Sequence, residues 1–428
     1  MSKQSKIIKG LIVYYILISL YLFFLFGNYP YFDFSLVFFL LSFYYFGFIL
    51  IKEYYNSGIF SIKFIFNVFG FLYTNYHIIE LINRDATINE YLIFMMHLSY
   101  IAIFCFNLSY YLTKKPSIQS NNRNINVHNF NCGLLFILII SIAAFYYVVF
   151  ISIGFMNYIV VSRAEMSLLR SDYSYLAFYA NTLPLVSAVS LFLFYKFKKK
   201  VNLVIFVVAF AFSLFNSIIT MSRAGMLAAA LPVLYLLYFY KKISQRTTII
   251  VGVLGFMLFG IWKSLFSDAV EVQYGEFSAW YALSQNVLSH PEKYSLLLGK
   301  SYLDTLINLI IPVTGIEPLS IWYLRIFEPD TLLAGGGRGF SSVLEAFINF
   351  HIPGVVIVYA FYGFIAKRFS PNSDLKILIN MMVLVSINML FRSESYAFWK
   401  AMLWLKIYPI VILYYLSSKR IAIKKASI

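Results

Sequence analysis

Runs of apolar residues near twenty in length recur along this chain, and they constrain its fold more than any other feature. A bilayer's hydrocarbon core takes about twenty residues of helix to cross. Such runs fall at about 10–26, 34–51, 59–80, 91–112, 133–153, 175–195, 202–220, 224–240, 248–265, 341–366, 375–391 and 399–416. The expectation is an all-α polytopic membrane protein with about 12 transmembrane helices. Composition agrees: 61% of the residues are apolar and 12% charged, against roughly 25% charged in soluble domains. The formal charge of +16 would suit nucleic acid. No solvated basic domain or folded recognition module accompanies it, so no nucleic-acid partner is expected.

The lysines set the orientation, because cytoplasmic loops of membrane proteins carry an excess of Lys and Arg. With both termini inside, the inner ends and loops hold Lys3, Lys6, Lys9, Lys52, Lys63, Lys114, Lys115, Arg123 and the cluster at Lys196–Lys200. They also hold Lys241, Lys242, Arg246, Lys367, Arg368, Lys376, Lys419, Arg420, Lys424 and Lys425, which makes 22 of the 34 basic residues. Only Glu53 and Asp374 stand with them on the acidic side. The start, MSKQSKIIKGLIVYY, is charged like a signal peptide. It lacks a small-residue cleavage site, so it reads as a retained first helix. Cys105 and Cys132 suggest no disulfide framework, and the five histidines show no HxxxH or HExxH spacing, so no metal site or cofactor is expected.

Three parts follow. Residues 1–265 form an N-terminal bundle of about nine helices, with a short outer amphipathic segment at 154–174. Residues 266–340 form a large extracytoplasmic loop, and 341–428 a C-terminal bundle of about three helices. In the first outer segment, SRAEMSLLRSD, Ser162 and Glu165 have capping-box spacing, and Arg163 and Arg170 would share a helix face. The long loop carries Phe277, Trp280, Tyr281 and Val287 around an interfacial helix. It then runs through LLLGKSYLDTLINLIIP, whose apolar stretch is too short to span. Both outer segments are placed on or just above the outer leaflet.

The loop ends in LLAGGGRGFSSVLE, which closes at Glu345 and opens the next apolar run. Glycines let successive N–H groups point into a concave turn, a nest that attracts anions at a helix N-terminus. Gly335, Gly336, Gly337 and Gly339 would form it, and Arg338 adds a planar fork suited to phosphate oxygens. The bland alternative is a flexible loop entering a membrane helix. Arginine otherwise gathers on the outer side or in membrane segments, at Arg84, Arg163, Arg170, Arg223, Arg325 and Arg392, whereas the inner loops prefer lysine. A rule of charge alone would not split the two residues; phosphate binding favours the fork. Arg223, in the short turn IITMSRAGMLAAA, stands at a helix start that Ser222 can cap. A cation is unfavourable there unless an anion joins it. Snorkelling to lipid phosphates is the structural alternative. For Arg392, in MLFRSESYAF, the alternative is an ion pair with Glu394; Arg84 pairs with Asp85, and Arg325 with Glu328.

The many-helix layout, the SRAG turn at Ser222–Met226, and the loop from LGKSYLDTL to GGGRGFSSVLEAFINFHIPG together resemble an O-antigen polymerase of the Wzy type. Its sharper part covers about Leu298–Gly354 and Ser222–Met226. Arg338 and Gly354 match an R-x(15)-G pattern described in some members, while Arg163 has Ser174 where the companion R-x(10)-G pattern wants glycine. The resemblance implies a location in the bacterial cytoplasmic (inner) membrane and a role in surface polysaccharide, O-antigen or capsule. It implies transfer of a glycan from undecaprenyl pyrophosphate to the terminal sugar of another lipid-linked repeat unit. Partners would be undecaprenyl-pyrophosphate-linked oligosaccharides and the lipid bilayer, with a chain-length regulator and a flippase beside them. Arg163, Arg170, Arg223, Arg338 and Arg392 would face the pyrophosphate in place of a divalent ion.

A base must take the acceptor's proton. Glu345, Asp172, Glu165, His290, His351 and Glu394 are on the right side. Glu345 is preferred, because a carboxylate in an apolar helix has a function or a partner. A bond to Arg338 or to a neighbouring helix is its structural alternative. Two other functions remain open: a ligase passing the glycan to another acceptor, and a non-enzymatic polysaccharide flippase. Repeats and mid-helix ionisable groups would favour the flippase.

Overall fold

The computed structural model describes residues 47–55, 58–84, 90–114, 123–152, 154, 179, 181–219, 223–252, 254–255, 279–310, 317–333, 339–369, 371, 373–387 and 389–420. In chain order the elements are α1 (Ile62–Arg84), α2 (Glu90–Leu112), β1 (Arg123–Ile125), α3 (Val127–Tyr146), α4 (Leu183–Phe197), α5 (Lys200–Ile219) and α6 (Arg223–Phe239). Next come α7 (Ala279–Ser289), α8 (Lys300–Ile310), α9 (Leu319–Phe327), α10 (Pro329–Leu333) and α11 (Ser342–Arg368). The chain closes with α12 (Asp374–Ser386), α13 (Met389–Arg392), α14 (Ser395–Met402), α15 (Tyr408–Leu416) and β2 (Ser418–Arg420). A π-helical turn extends α3 to Ser152, and another joins α14 to α15.

Helix is the rule because a backbone in lipid must bond within its own segment. Among the described residues, five helical stretches have the length and composition to cross a membrane: Phe94–Leu112, Val127–Ser152, Lys200–Ile218, Ser342–Arg368, which is interrupted at Phe350 and His351, and Ser395–Leu416. Leu183–Phe197 and Gly225–Phe239 are shorter apolar helices. The runs at 10–26 and most of 34–51 and 248–265 lie outside the described residues. The run at 375–391 is not continuous: α12 stops at Ser386 and α13 starts at Met389. Among the described residues, two short strands pair antiparallel, β1 with β2, in register Arg123↔Arg420, Asn124↔Lys419 and Ile125↔Ser418.

The core runs from Ile59 to Tyr414, so helices from both ends of the chain share it. Helix α2 lies along α11, and a Cβ at Gly363 would collide with the backbone of Phe106. Small residues permit such approaches where no water drives helices together. Between α1 and α2, Asn67 and Asn107 exchange amide bonds, Nδ2 to Oδ1, at 3.0 and 2.8 Å. That satisfies polar groups a membrane interior could not solvate.

Segments that the lysine distribution places on one side do meet. Lys63 Nζ donates to Glu53 Oε1 at 2.7 Å, Tyr111 donates to the same oxygen, and Lys63 lies 3.4 Å from the Tyr111 ring centre. Lys367 sits over Tyr110 at 4.4 Å. Lys196 pairs with Asp374, and β1 with β2 joins the loop after α2 to the end of α15.

Helix α11 differs most from expectation. The sequence reads as one span, yet Phe350 (φ −144°, ψ 20°) and His351 (φ 55°, ψ −150°) leave the helical region. Residues seventeen apart in a straight helix stand about 25 Å apart, but Ser342 Oγ and Tyr359 Oη are 2.7 Å apart. A Cβ at Gly354 would collide with the carbonyl of Ala346. The arms 342–349 and 352–368 therefore fold back on each other as a helical hairpin. Proline removes a helical N–H, and Pro353 follows the break while Gly354 permits the close return.

Candidate functional site

The inner face of the short arm, 342–349, carries Ser342, Glu345 and Asn349, three and four residues apart and hence on one side of the helix. Glu345 is 1% exposed. Ser301 Oγ, on α8, donates to Glu345 Oε1 at 2.8 Å, and the backbone N–H of Ser395 donates to Oε2 at 2.6 Å. Asn349 Oδ1 accepts from the backbone N–H of Gly299 at 2.9 Å, which fixes the amide's orientation. Its Nδ2 then donates to Ser301 Oγ and to the Glu345 carbonyl, both at 2.8 Å. With Ser301 already accepting from Asn349, its own hydrogen goes to Glu345. Both carboxylate oxygens are thus held as acceptors, the arrangement that suits a base.

Tyrosines and serines close the site below. Tyr362 Oη and Ser395 Oγ lie 3.1 Å apart. Ser342 Oγ donates to the carbonyl of Leu390, and the Tyr359 hydroxyl lies within reach of both, 2.7 Å from Ser342 Oγ and 3.2 Å from that carbonyl. Burial, with Glu345 close by, holds the Tyr302 hydroxyl protonated well past the usual tyrosine range.

Glu394 is the second buried carboxylate, 3% exposed. Its oxygens accept from the N–H of Ser320 at 2.8 Å and from Ser320 Oγ at 3.2 Å. First-turn N–H groups have no partner within their helix, so Glu394 caps α9 from 74 residues away, as Glu345 caps α14. Burial first, and then the neighbouring Glu345, raise the Glu394 carboxyl to about 7.

Of the expected site residues, the structure thus brings Glu345 and Glu394 together, while the others stand as follows. Arg163, Arg170, Arg338, Gly335, Gly336 and Gly337, with the alternative bases Glu165 and Asp172, lie outside the described residues. Gly339 is described and exposed, next to the buried Phe340 and Ser341. Arg223 opens α6 and Arg392 closes α13, two residues before Glu394; their side chains are outside the described set. Arg325 pairs with Glu317 at 2.7 Å and not with Glu328, which accepts from Tyr323 instead. His290 is half-buried, with Nδ1 3.0 Å from the Asn286 carbonyl, and His351 is exposed at the hairpin tip.

Sequence reasoning missed Ser301, Tyr302, Asn349, Ser320 and Ser395. Two of them were signalled: Asn349 follows Glu345 by four residues in an apolar helix, and Ser301 begins a row continued by Thr305 and Asn308. No group of three or more His, Cys, Asp or Glu among the described residues could hold a metal ion.

No curated protein and no solved structure matches the chain. The family model of O-antigen polysaccharide polymerase Wzy matches residues 302–425. That stretch holds Ser320, Glu345, Asn349, Glu394 and Ser395, and it begins one residue after Ser301. Residues 302–425 are thus similar to the O-antigen polysaccharide polymerase Wzy family, the one that the sequence of this region resembles.

Proposed function

We propose that this protein polymerises lipid-linked oligosaccharide repeat units on the outer face of the cytoplasmic membrane. The glycan moves from undecaprenyl pyrophosphate to the terminal sugar of another lipid-linked unit. The observation carrying this reading is the buried carboxylate of Glu345, held as an acceptor by Ser301 and Ser395 within the family-matched region.

In the proposed step an acceptor hydroxyl attacks the sugar carbon bonded to phosphate. The new carbon–oxygen bond forms as the carbon–phosphate oxygen bond breaks, and undecaprenyl pyrophosphate leaves with the electron pair. The hydroxyl proton passes to Glu345 through Ser301, which is half-buried and donates to that carboxylate. Arg338, Arg392, Arg223, Arg163 and Arg170 would meet the charge developing on the leaving group.

Purified protein given one lipid-linked repeat unit, without nucleotide, should make a ladder of lengths. Glu345→Gln keeps the shape but cannot take the proton, and should stop the ladder while leaving binding intact. A ligase would leave the substrate unchanged until a second acceptor is added, and a flippase would move it without lengthening it. No ladder from well-folded unmodified protein would overturn the reading.

A further inference from the structure

The eleven residues of α8 make a rod of about 16 Å, too short to cross a bilayer. Its polarity is the reverse of a water-facing helix. The face turned into the protein carries Ser301, Thr305 (3% exposed) and Asn308 (7%), whereas Leu303 (58%), Leu306 (58%), Ile307 (39%) and Ile310 (78%) are exposed. At roughly 100° per residue the two rows point in opposite directions. Between them, Lys300 and Asp304 occupy one flank, while Tyr302 and Leu309 occupy the other.

That arrangement identifies the medium. An exposed row of four large aliphatic residues is unfavourable in water and favourable among acyl chains, while the inward row of hydroxyls and amide meets protein in either medium. The charged flank distinguishes the helix's directions: Lys300 and Asp304 suit the headgroups, and the opposite flank suits the hydrocarbon. The surface is also continuous with a second exposed apolar one. A Cβ at Gly299 would come within 2.7 Å of the Phe350 ring, which ties the start of α8 to the hairpin tip. Phe350 and Ile352 are exposed there, and Ile357, Phe361 and Phe364 are exposed farther along the long arm of α11.

We propose that α8 lies flat in the membrane leaflet beside the site, with Leu303, Leu306, Ile307 and Ile310 seated among acyl chains. Its inward row then separates those chains from Glu345 by one helix thickness. A substrate with a lipid tail reaches Ser301 from the membrane side without leaving the leaflet, a consequence that rests on the polymerase reading.

The test uses full-length protein in liposomes of phosphatidylethanolamine and phosphatidylglycerol, with Cys105 and Cys132 replaced by serine. Nitroxide labels are placed singly at positions 300, 303, 304, 306 and 310. Labels at 303, 306 and 310 should be open to oxygen and closed to a water-soluble nickel complex, and those at 300 and 304 should be open to the complex. Access of the nickel complex at 306 and 310 would put the face in water and overturn the proposal. Exclusion of both reagents there would show protein covering it, a second copy or another partner, and would overturn it equally. In the ladder assay, Leu306→Asp should lose most chain extension while Lys300→Gln retains it; unchanged extension in L306D would remove the membrane-side route. If the unmodified protein makes no ladder, the polymerase reading falls, while the labels still report the position of α8.

Discussion

At Glu345 the arrangement depends on one amide. Asn349 receives Gly299 and gives to Ser301, so the serine hydrogen has one place to go. Ser301→Ala should cut the rate of chain extension about tenfold or more, since a hydrogen bond to a charged group is worth about 1.5–3 kcal/mol; single-turnover rates would show it. Glu394 gives a pH effect whose sign can be worked out. Its carboxyl rises to about 7 in the fold, so between the ordinary glutamate range and 7 the folded state binds more protons than the unfolded one. Stability is then highest on the acid side and falls as pH rises through 7. Melting curves in detergent from pH 5 to 8 should slope downward, and Glu394→Gln, which resembles the protonated form, should flatten them. The sequence made these acids visible as charges in an apolar context. Their partners were not legible, because Ser320 lies 74 residues and Ser395 50 residues away, and only tertiary folding brings such pairs together.

Among the elements, the hairpin of α11 is where periodicity misled. An apolar pattern reports which residues avoid water and not whether the axis turns back, so 341–366 read as one span. Pro353 and Gly354 were the available signs. Gly354→Ala forces a Cβ against the Ala346 carbonyl and should cost about 1–3 kcal/mol, as overpacking does. Gly363→Ala, against Phe106, should cost a similar amount. Gly252 and Gly255 have nothing within 4 Å of a built Cβ, so their alanine variants should melt with the unmodified protein. By contrast, α8 was legible in part: its stretch was read as too short to span, while the inward polar row appeared only once its neighbours were in place.

For the molecule as a whole, lysine placement grouped segments that the fold brings into contact. Lys196 with Asp374, Lys63 with Glu53, and Arg123 opposite Arg420 each join segments that the distribution put on one side. A reporter tests which side those segments share. One active only outside the cytoplasm should give signal at Ser289 and none at Ser244; signal at Ser244 would reverse the orientation and remove the arginines from the outer face.

The hairpin also bears on how the chain is made. Emerging from the ribosome, 342–368 is an apolar segment that an insertion machinery would accept as an ordinary single crossing. The arms meet each other through Ser342 and Tyr359, while the acid is held from both directions: Ser301 is already synthesised, but Ser395 is added 50 residues after Glu345. The second donor to Glu345 therefore arrives late in translation, with α14. A nascent chain stopped before that helix would hold the carboxylate in lipid with one of its two protein donors missing, a state that quality-control proteases could recognise.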